Sequence, residues 1–292
     1  MITVVATGVD ALTRAMPRVT GWAGGRVSDV VSSGDLIQAG LRRDPADGQR
    51  LLAGRAALRL LVAHQRGESP HVARTLPIDR TCPRCGTGHG RPTLPGLSLS
   101  TASRRGAVLA GVAREQDRIG VDLERIPDQT IPGFDDYALH AAERERFSGG
   151  RYSGGTRTGG SPGTSAGTPI GEPVTRRIAL WVLKEAVLKA AGTGLDHPPD
   201  QLLLGPARAE TRFHSGDRVH TLTWHPVERA LDRQVEELWA CVVPVPEGYL
   251  GAVAAHRPDD VRDVGQDLLD RFTATPTPAS GPVVSCGPVP GT

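Results

Sequence analysis

Aromatic residues are scarce in this sequence, at 4% of 292 residues, and cysteine occurs only four times. Four cysteines, two of them close together as Cys82-Pro83-Arg84-Cys85, are too few for a secreted disulfide framework in a chain of this length, so a reducing compartment is expected. Charge of one sign is also lacking. A formal net charge of +2 offers no strong phosphate-directed field, which argues against a nucleic-acid partner and makes any basic site a local one. No apolar run approaches the length of a membrane span, and Met1 to Asp10 has no cationic stretch ahead of an apolar core. The expectation is a soluble, cytoplasmic protein with no membrane partner. Present in excess are 36 Gly and 24 Pro, which assign part of the chain to loop and linker.

Asp44-Pro45-Ala46-Asp47 has the form of a helix start, with Asp44 as N-cap and Pro45 in the first helical position. Leu51, Leu58, Leu61 and Val62 then share a face, Arg55 and Arg59 border it, and Gly67 is placed to end the helix. From Leu97 the period changes to two. Strands over 97–100, 107–113 and 119–124, joined through Ser103-Arg104-Arg105-Gly106 and the polar break at Gln116-Asp117-Arg118, read as an antiparallel meander. Residues 148–173 are dominated by Gly, Ser, Thr and Pro and read as a disordered loop. A helix over 177–191 and strands over 219–224, 238–243 and 249–255 follow. The division expected is an N-terminal half (1–126), a C-terminal half (127–257) containing the Gly-rich loop, and a largely disordered tail (258–292) whose first part has a charged, helical pattern.

Two segments carry chemistry. In Ile119-Gly120-Val121-Asp122-Leu123-Glu124, strand alternation sends the apolar side chains to one face and both carboxylates to the other, where they can share a hard divalent cation. Alone, such a strand reads more readily as one with a solvated polar face. In the helix, Trp181, Lys184, Glu185 and Leu188 cluster on one side with Lys189 at the edge, opposite Leu183, Ala186, Val187 and Ala190. An ordinary Glu-to-Lys pair beside a core tryptophan is the alternative reading there.

Gly120-Val121-Asp122-Leu123-Glu124 followed by Trp181-Val182-Leu183-Lys184-Glu185-Ala186-Val187-Leu188-Lys189 resembles the paired signature of the 4′-phosphopantetheinyl transferase superfamily, in its two-half monomeric branch. Gly192 to Leu195, Gly248-Tyr249-Leu250, His89-Gly90-Arg91-Pro92 and Leu97-Ser98-Leu99-Ser100 look like the family as well. The resemblance implies an α+β fold made of a tandem pseudo-two-fold pair of similar halves, each a helix packed on a short antiparallel sheet. It implies transfer of 4′-phosphopantetheine from coenzyme A to a serine of an acyl or peptidyl carrier protein, with release of 3′,5′-adenosine bisphosphate. Asp122, Glu124 and Glu185 would hold Mg²⁺, with Mn²⁺ as a substitute. Glu185 and Lys189 would be catalytic, and Arg55, Arg91, Pro92, Ser100, Thr101, Lys184 and Lys189 would contact coenzyme A.

The pattern departs from the family at Thr101, where a histidine usually follows the serine. A threonine hydroxyl lacks the charge that strengthens a phosphate contact, so Arg104 and Arg105 stand as candidate replacements. Cys82, Cys85 and His89 have zinc-ligand character without an evident fourth ligand, and a plain loop is the preferred reading. Two other functions stay open: a metal-dependent phosphodiesterase, and a carrier-binding family member that no longer transfers.

Overall fold

The computed structural model of the chain describes residues 1–148 and 173–270. In chain order the elements are β1 (Ile2–Gly8), α1 (Val9–Thr20), α2 (Ser33–Gly40), α3 (Pro45–Gln65), β2 (Thr93–Leu94), β3 (Leu97–Arg104), β4 (Ala107–Arg114) and β5 (Gly120–Arg125). There follow α4 (Phe134–Ala138), α5 (Ala141–Ser148), α6 (Pro173–Ala191), β6 (Leu203–Leu204), β7 (Ala209–Ser215) and β8 (Arg218–Arg229). The series closes with α7 (Arg233–Glu236), β9 (Trp239–Val243), β10 (Tyr249–Ala255), β11 (Val261–Asp263) and α8 (Gly265–Asp270).

Helix α3 begins as its sequence dictates: the Asp44 carboxylate accepts the Ala46 N–H at 2.9 Å, and Pro45 occupies the first turn, where a missing N–H costs nothing. Gly67 ends it with φ +68°, a conformation L side chains avoid.

The strands form one curled, mixed sheet in the order β2-β3-β4-β1-β11-β7-β8-β9-β10-β5, with β6 attached to β8. Strand β8 serves both parts of it, since residues up to Trp224 pair with β7 while His225 and Pro226 pair with β9. Three cores result. Leu58, Leu61 and Val62 of α3 pack with Leu12 and Met16 of α1 and with Val108, Ala110 and Val112 of β4. The opposite side chains of β1 and β4 meet Ile119, Val121 and Leu123, and Phe213, Trp224, Cys241 and Val253, in a central layer. Val182, Ala186, Val187 and Ala190 of α6 pack with Ala240, Leu250, Ala252 and Ala254 of β9 and β10. Few large rings are needed because Ala, Val and Leu on both faces of the strands allow close approach.

Strand β5 is where the sequence reading and the structure part. It does not extend a β3-β4 meander; it pairs antiparallel with β10, Asp122 opposite Ala252, and so joins the sheet that α6 covers. Its link to the first half runs through side chains: Ile119 N–H donates to Ser98 Oγ and Val121 N–H to Ser100 Oγ, both at 2.9 Å and buried. The stretch assigned to the tail is ordered through Asp270. Val261–Asp263 enters the sheet parallel to both β1 and β7, a pairing of three residues too short to leave a period in sequence. The Gly-rich loop lies, but for its first and last residues, outside the described residues, as does the chain beyond Asp270.

Candidate active site

Gly120 sets the distance between β5 and α6. A Cβ there would run into the Ala186 carbonyl oxygen and the Ala190 nitrogen, so only glycine lets the helix backbone lie directly on the strand. That approach brings Asp122, two residues on, under the helix. Among residues 181–190 of α6, Trp181, Glu185 and Lys189 alone are not buried, a stripe spaced by four.

Lys189 Nζ donates to Asp122 Oδ1 at 2.6 Å, and Asp122 is 1% exposed. Glu124 is held from two sides: Arg104 Nε donates to its Oε2 at 2.7 Å while Arg104 Nη2 binds Oε1, and Trp181 Nε1 donates to Oε1 at 3.2 Å. Trp181 itself stands among Phe134 and Tyr137, with ring centroids at 6.1 and 5.7 Å. Three carboxylates thus face two cations. The imbalance is visible in what they leave over: Asp122 Oδ2 and Glu185 Oε1 are both buried and lack a hydrogen-bond partner. Burial, followed by the neighbouring Asp122 charge, pushes the Glu185 carboxyl up to about 7. Burial also raises Asp122, against the pull of Lys189.

Orphaned acid oxygens in a polar, oxygen-only donor set are the chemistry a hard divalent ion requires. Asp122, Glu124 and Glu185 are therefore the residues that could hold Mg²⁺. With Arg104 and Lys189 drawn onto two of them, the three carboxylates do not close to mutual distances within 4.8 Å. Among the described residues, the group that does is Cys82, Cys85 and His89.

Lys184 is not where the helical wheel puts it. Its side chain is fully buried, and its Nζ meets Glu143 Oε2 at 2.6 Å, the Ala138 carbonyl at 2.8 Å and the Pro199 carbonyl at 3.0 Å. An ammonium has three donors and all three are used, so Lys184 holds α6 to the chain on either side of it and has none left for a phosphate. Leu188 likewise belongs to the α6 core. The functional face of the helix is narrower than its amphipathic pattern suggests, because α6 is covered on nearly every side.

The coenzyme A candidates separate. Arg55 is 8% exposed, not solvated; its Nη1 lies 3.3 Å from Asp35 Oδ1 and its Nη2 donates to the Gly88 carbonyl at 3.2 Å. Thr101 and Arg55 line a cavity of about 130 Å³ with Arg42, Arg50 and Ser103. Of the candidate replacements for the histidine missing at Thr101, Arg104 is held by Glu124 and Arg105 reaches Asp44 at 3.2 Å, whereas Arg42 and Arg50 line the cavity beside Thr101. Arg80 was also missed: its Nη2 is buried without a partner, and burial beside Arg55 pushes its guanidinium down to about 9. Three guanidiniums, Arg55, Arg59 and Arg80, thus act on the single Asp35 carboxylate. A cluster of arginines drawn from α3 and a loop around an acid on α2 has no sequence signature.

Ser100 is buried with its hydroxyl accepting from Val121, a use within the sheet. Pro92 is buried, and Arg91 donates to the Ala190 carbonyl at 3.2 Å and the Ile119 carbonyl at 3.4 Å, tying its loop to the end of α6. No helix among the described residues is long and apolar enough to cross a membrane.

No curated protein matches the chain. Residues 118–243, which run from the start of β5 through α6 to the end of β9, do match a family model, and over them the chain carries a domain of the 4′-phosphopantetheinyl transferase superfamily.

Proposed function

We propose that the protein transfers 4′-phosphopantetheine from coenzyme A to the serine of an acyl or peptidyl carrier protein, releasing 3′,5′-adenosine bisphosphate. The observation that carries this reading is the pair of buried, unpartnered oxygens, Asp122 Oδ2 and Glu185 Oε1, within a carboxylate trio on β5 and α6. Asp122, Glu124 and Glu185 would hold Mg²⁺, or Mn²⁺ in its place, and the ion when bound supplies charge compensation on the pyrophosphate.

The chain's own residues account for the rest. Glu185 takes the proton from the attacking serine hydroxyl; burial raises its carboxyl to about 7 in the ion-free protein, a proton affinity that a bound cation would lower. Lys189 pairs with Asp122, against the effect of burial, and would stabilise or protonate the departing phosphate. Arg104 and Trp181 orient Glu124. The arginine-lined cavity at Thr101 takes a phosphate of the nucleotide end, with Arg42, Arg50 and Arg55 as its cations. Arg91 acts from a distance, through the carbonyls at the end of α6.

We read the fold as two related halves in one monomer, each a helix laid on a sheet: α3 on β1 and β4, and α6 on β5, β9 and β10. By pairing, β5 goes with the second half, while β11 lies between β1 and β7 and joins the two, so the division differs from a cut at residue 126. Carrier proteins are generally acidic, and local arginines rather than a net charge of +2 would guide their docking.

The test is the intact mass of apo carrier proteins after incubation with coenzyme A, Mg²⁺ and this protein. A phosphopantetheine adduct on at least one acyl or peptidyl carrier is expected. Carriers unmodified across both types, with coenzyme A intact, would leave a carrier-binding member without transfer, and coenzyme A cleaved without an adduct would indicate a phosphodiesterase.

A further inference from the structure

Residues 80–92 form a long connection with no regular secondary structure, pinched at its base by a two-way backbone bridge between Asp79 and Thr93 at 2.9 and 3.0 Å. A loop of this size without apolar filling needs another source of order. Within it the backbone folds back tightly: Gly86 N–H donates to the Cys82 carbonyl and Cys82 N–H to the Thr87 carbonyl, each at 2.8 Å. Gly86 has φ +70°, so the turn depends on glycine. This turn brings three soft ligands together. One ligand atom each from Cys82, Cys85 and His89 lies within 4.8 Å of the other two, and Cys85 Sγ is 3.1 Å from His89 Nε2.

We infer that Cys82, Cys85 and His89 form a zinc site that fixes this loop, separate from the carboxylate site and different from it in ligand chemistry. Two thiolates and an imidazole favour a borderline-soft ion, whereas the oxygen-only donors of Asp122, Glu124 and Glu185 favour a hard one. Tetrahedral bonds of about 2.3 Å to sulfur and 2.0–2.1 Å to nitrogen put ligand atoms within about 4 Å of each other, close to the spacing already present. Cys82 is buried while Cys85 and His89 are exposed, so the fourth position opens to solvent and is taken by water. The spacing of two residues between the cysteines and three before the histidine suits one small knuckle, all from a single loop.

The site has structural work to do. From the same loop, the Gly88 carbonyl accepts Arg55, Arg91 donates to the Ala190 carbonyl, and Arg84 pairs with Asp196 beyond α6. A zinc knuckle therefore orders the strap that joins the arginine cluster of α3 to the C-terminal end of α6.

The full chain, purified with reductant and zinc and then freed of loose metal, tests this by elemental analysis. About one zinc per chain is expected. Removing zinc with a chelator and adding Co²⁺ should give the visible bands of tetrahedral cobalt together with thiolate-to-metal charge transfer, a signature that carboxylate ligands do not produce. Cys85→Ser and His89→Ala should each weaken zinc binding by about 100-fold or more, and both residues are exposed enough for the variants to fold. Metal far below one equivalent, cobalt spectra without charge transfer, zinc retained by both variants, or a Cys82–Cys85 disulfide found in zinc-replete protein would each overturn the inference.

Discussion

Lys184 and Glu185 are neighbours on one helix, yet they sit in opposite kinds of electrostatic environment. Lys184 is fully buried and closed: one carboxylate and two carbonyls use every proton of its ammonium. Glu185 faces a region where three acids meet two cations and two oxygens stay unpaired. A buried ion pair with all partners in place resists change, while a buried cluster short of one positive charge is poised to take a cation. Contact with α5 on one side and with β5 on the other is what separates a fully partnered charge from an under-neutralised one across a single residue step.

The strongest way to break this contrast is Lys184→Met. Leaving Glu143 charged in the core should cost about 3–5 kcal/mol in denaturant unfolding, and the double variant Lys184→Met/Glu143→Leu should recover most of it. Transfer per folded molecule should be retained; its loss in the well-folded double variant would return Lys184 to the active site. Glu185→Gln should do the reverse. Carrier modification should fall by about 100-fold or more, roughly 2.7 kcal/mol in kcat/KM, while the unfolding midpoint holds or rises as the unpaired acid is removed. A stability loss in place of the activity loss would place Glu185 with the structural residues.

Smaller effects sharpen the comparison. Arg50→Ala, at the cavity beside Thr101, should raise KM for coenzyme A about tenfold, or about 1.4 kcal/mol, with kcat nearly constant. The pH dependence should be the mildest. Because folding raises the Glu185 carboxyl from 4.5 to about 7, the folded ion-free protein holds that proton more tightly than the unfolded chain does. Its contribution to stability is therefore greatest below about pH 4.5, falls as pH rises towards about 7 and stays low above it. Mg²⁺ competes with the same proton, so its thermal stabilisation should be larger at about pH 8 than at about pH 5.5, and Glu185→Gln should shrink the difference, leaving what the raised Asp122 carboxyl contributes. Equal Mg²⁺ shifts at both values would argue against this carboxylate as a ligand.

Much of this was legible because it is local. Asp44-Pro45 caps α3 with its own side chain, Gly67 ends the helix by its own backbone, and the Gly120-to-Glu124 and Trp181-to-Lys189 segments carry spacing that needs no tertiary knowledge. The glycine of the first segment acquires its reason only in the fold, where the backbone of α6 occupies the space of its missing Cβ. Lys184 was misplaced because a helical wheel assumes one exposed face, and α6 has only a stripe. Strand β5 was misassigned since sequence adjacency suggests a meander, whereas its hydrogen bonds go to β10 and its serine contacts to β3.

By itself the sequence determined which side chains offer hard oxygen ligands, which offer soft sulfur and nitrogen ligands, and where α3 starts and stops, since these depend on side-chain chemistry and on backbone preferences over a few residues. Only the tertiary structure decided which charges are neutralised: that Glu143 would close around Lys184, that Arg104 would hold Glu124, and that Arg42 and Arg50 rather than Arg104 and Arg105 would stand at Thr101. Charge pairing depends on distance and burial between segments remote in the chain, and neither is encoded in local order.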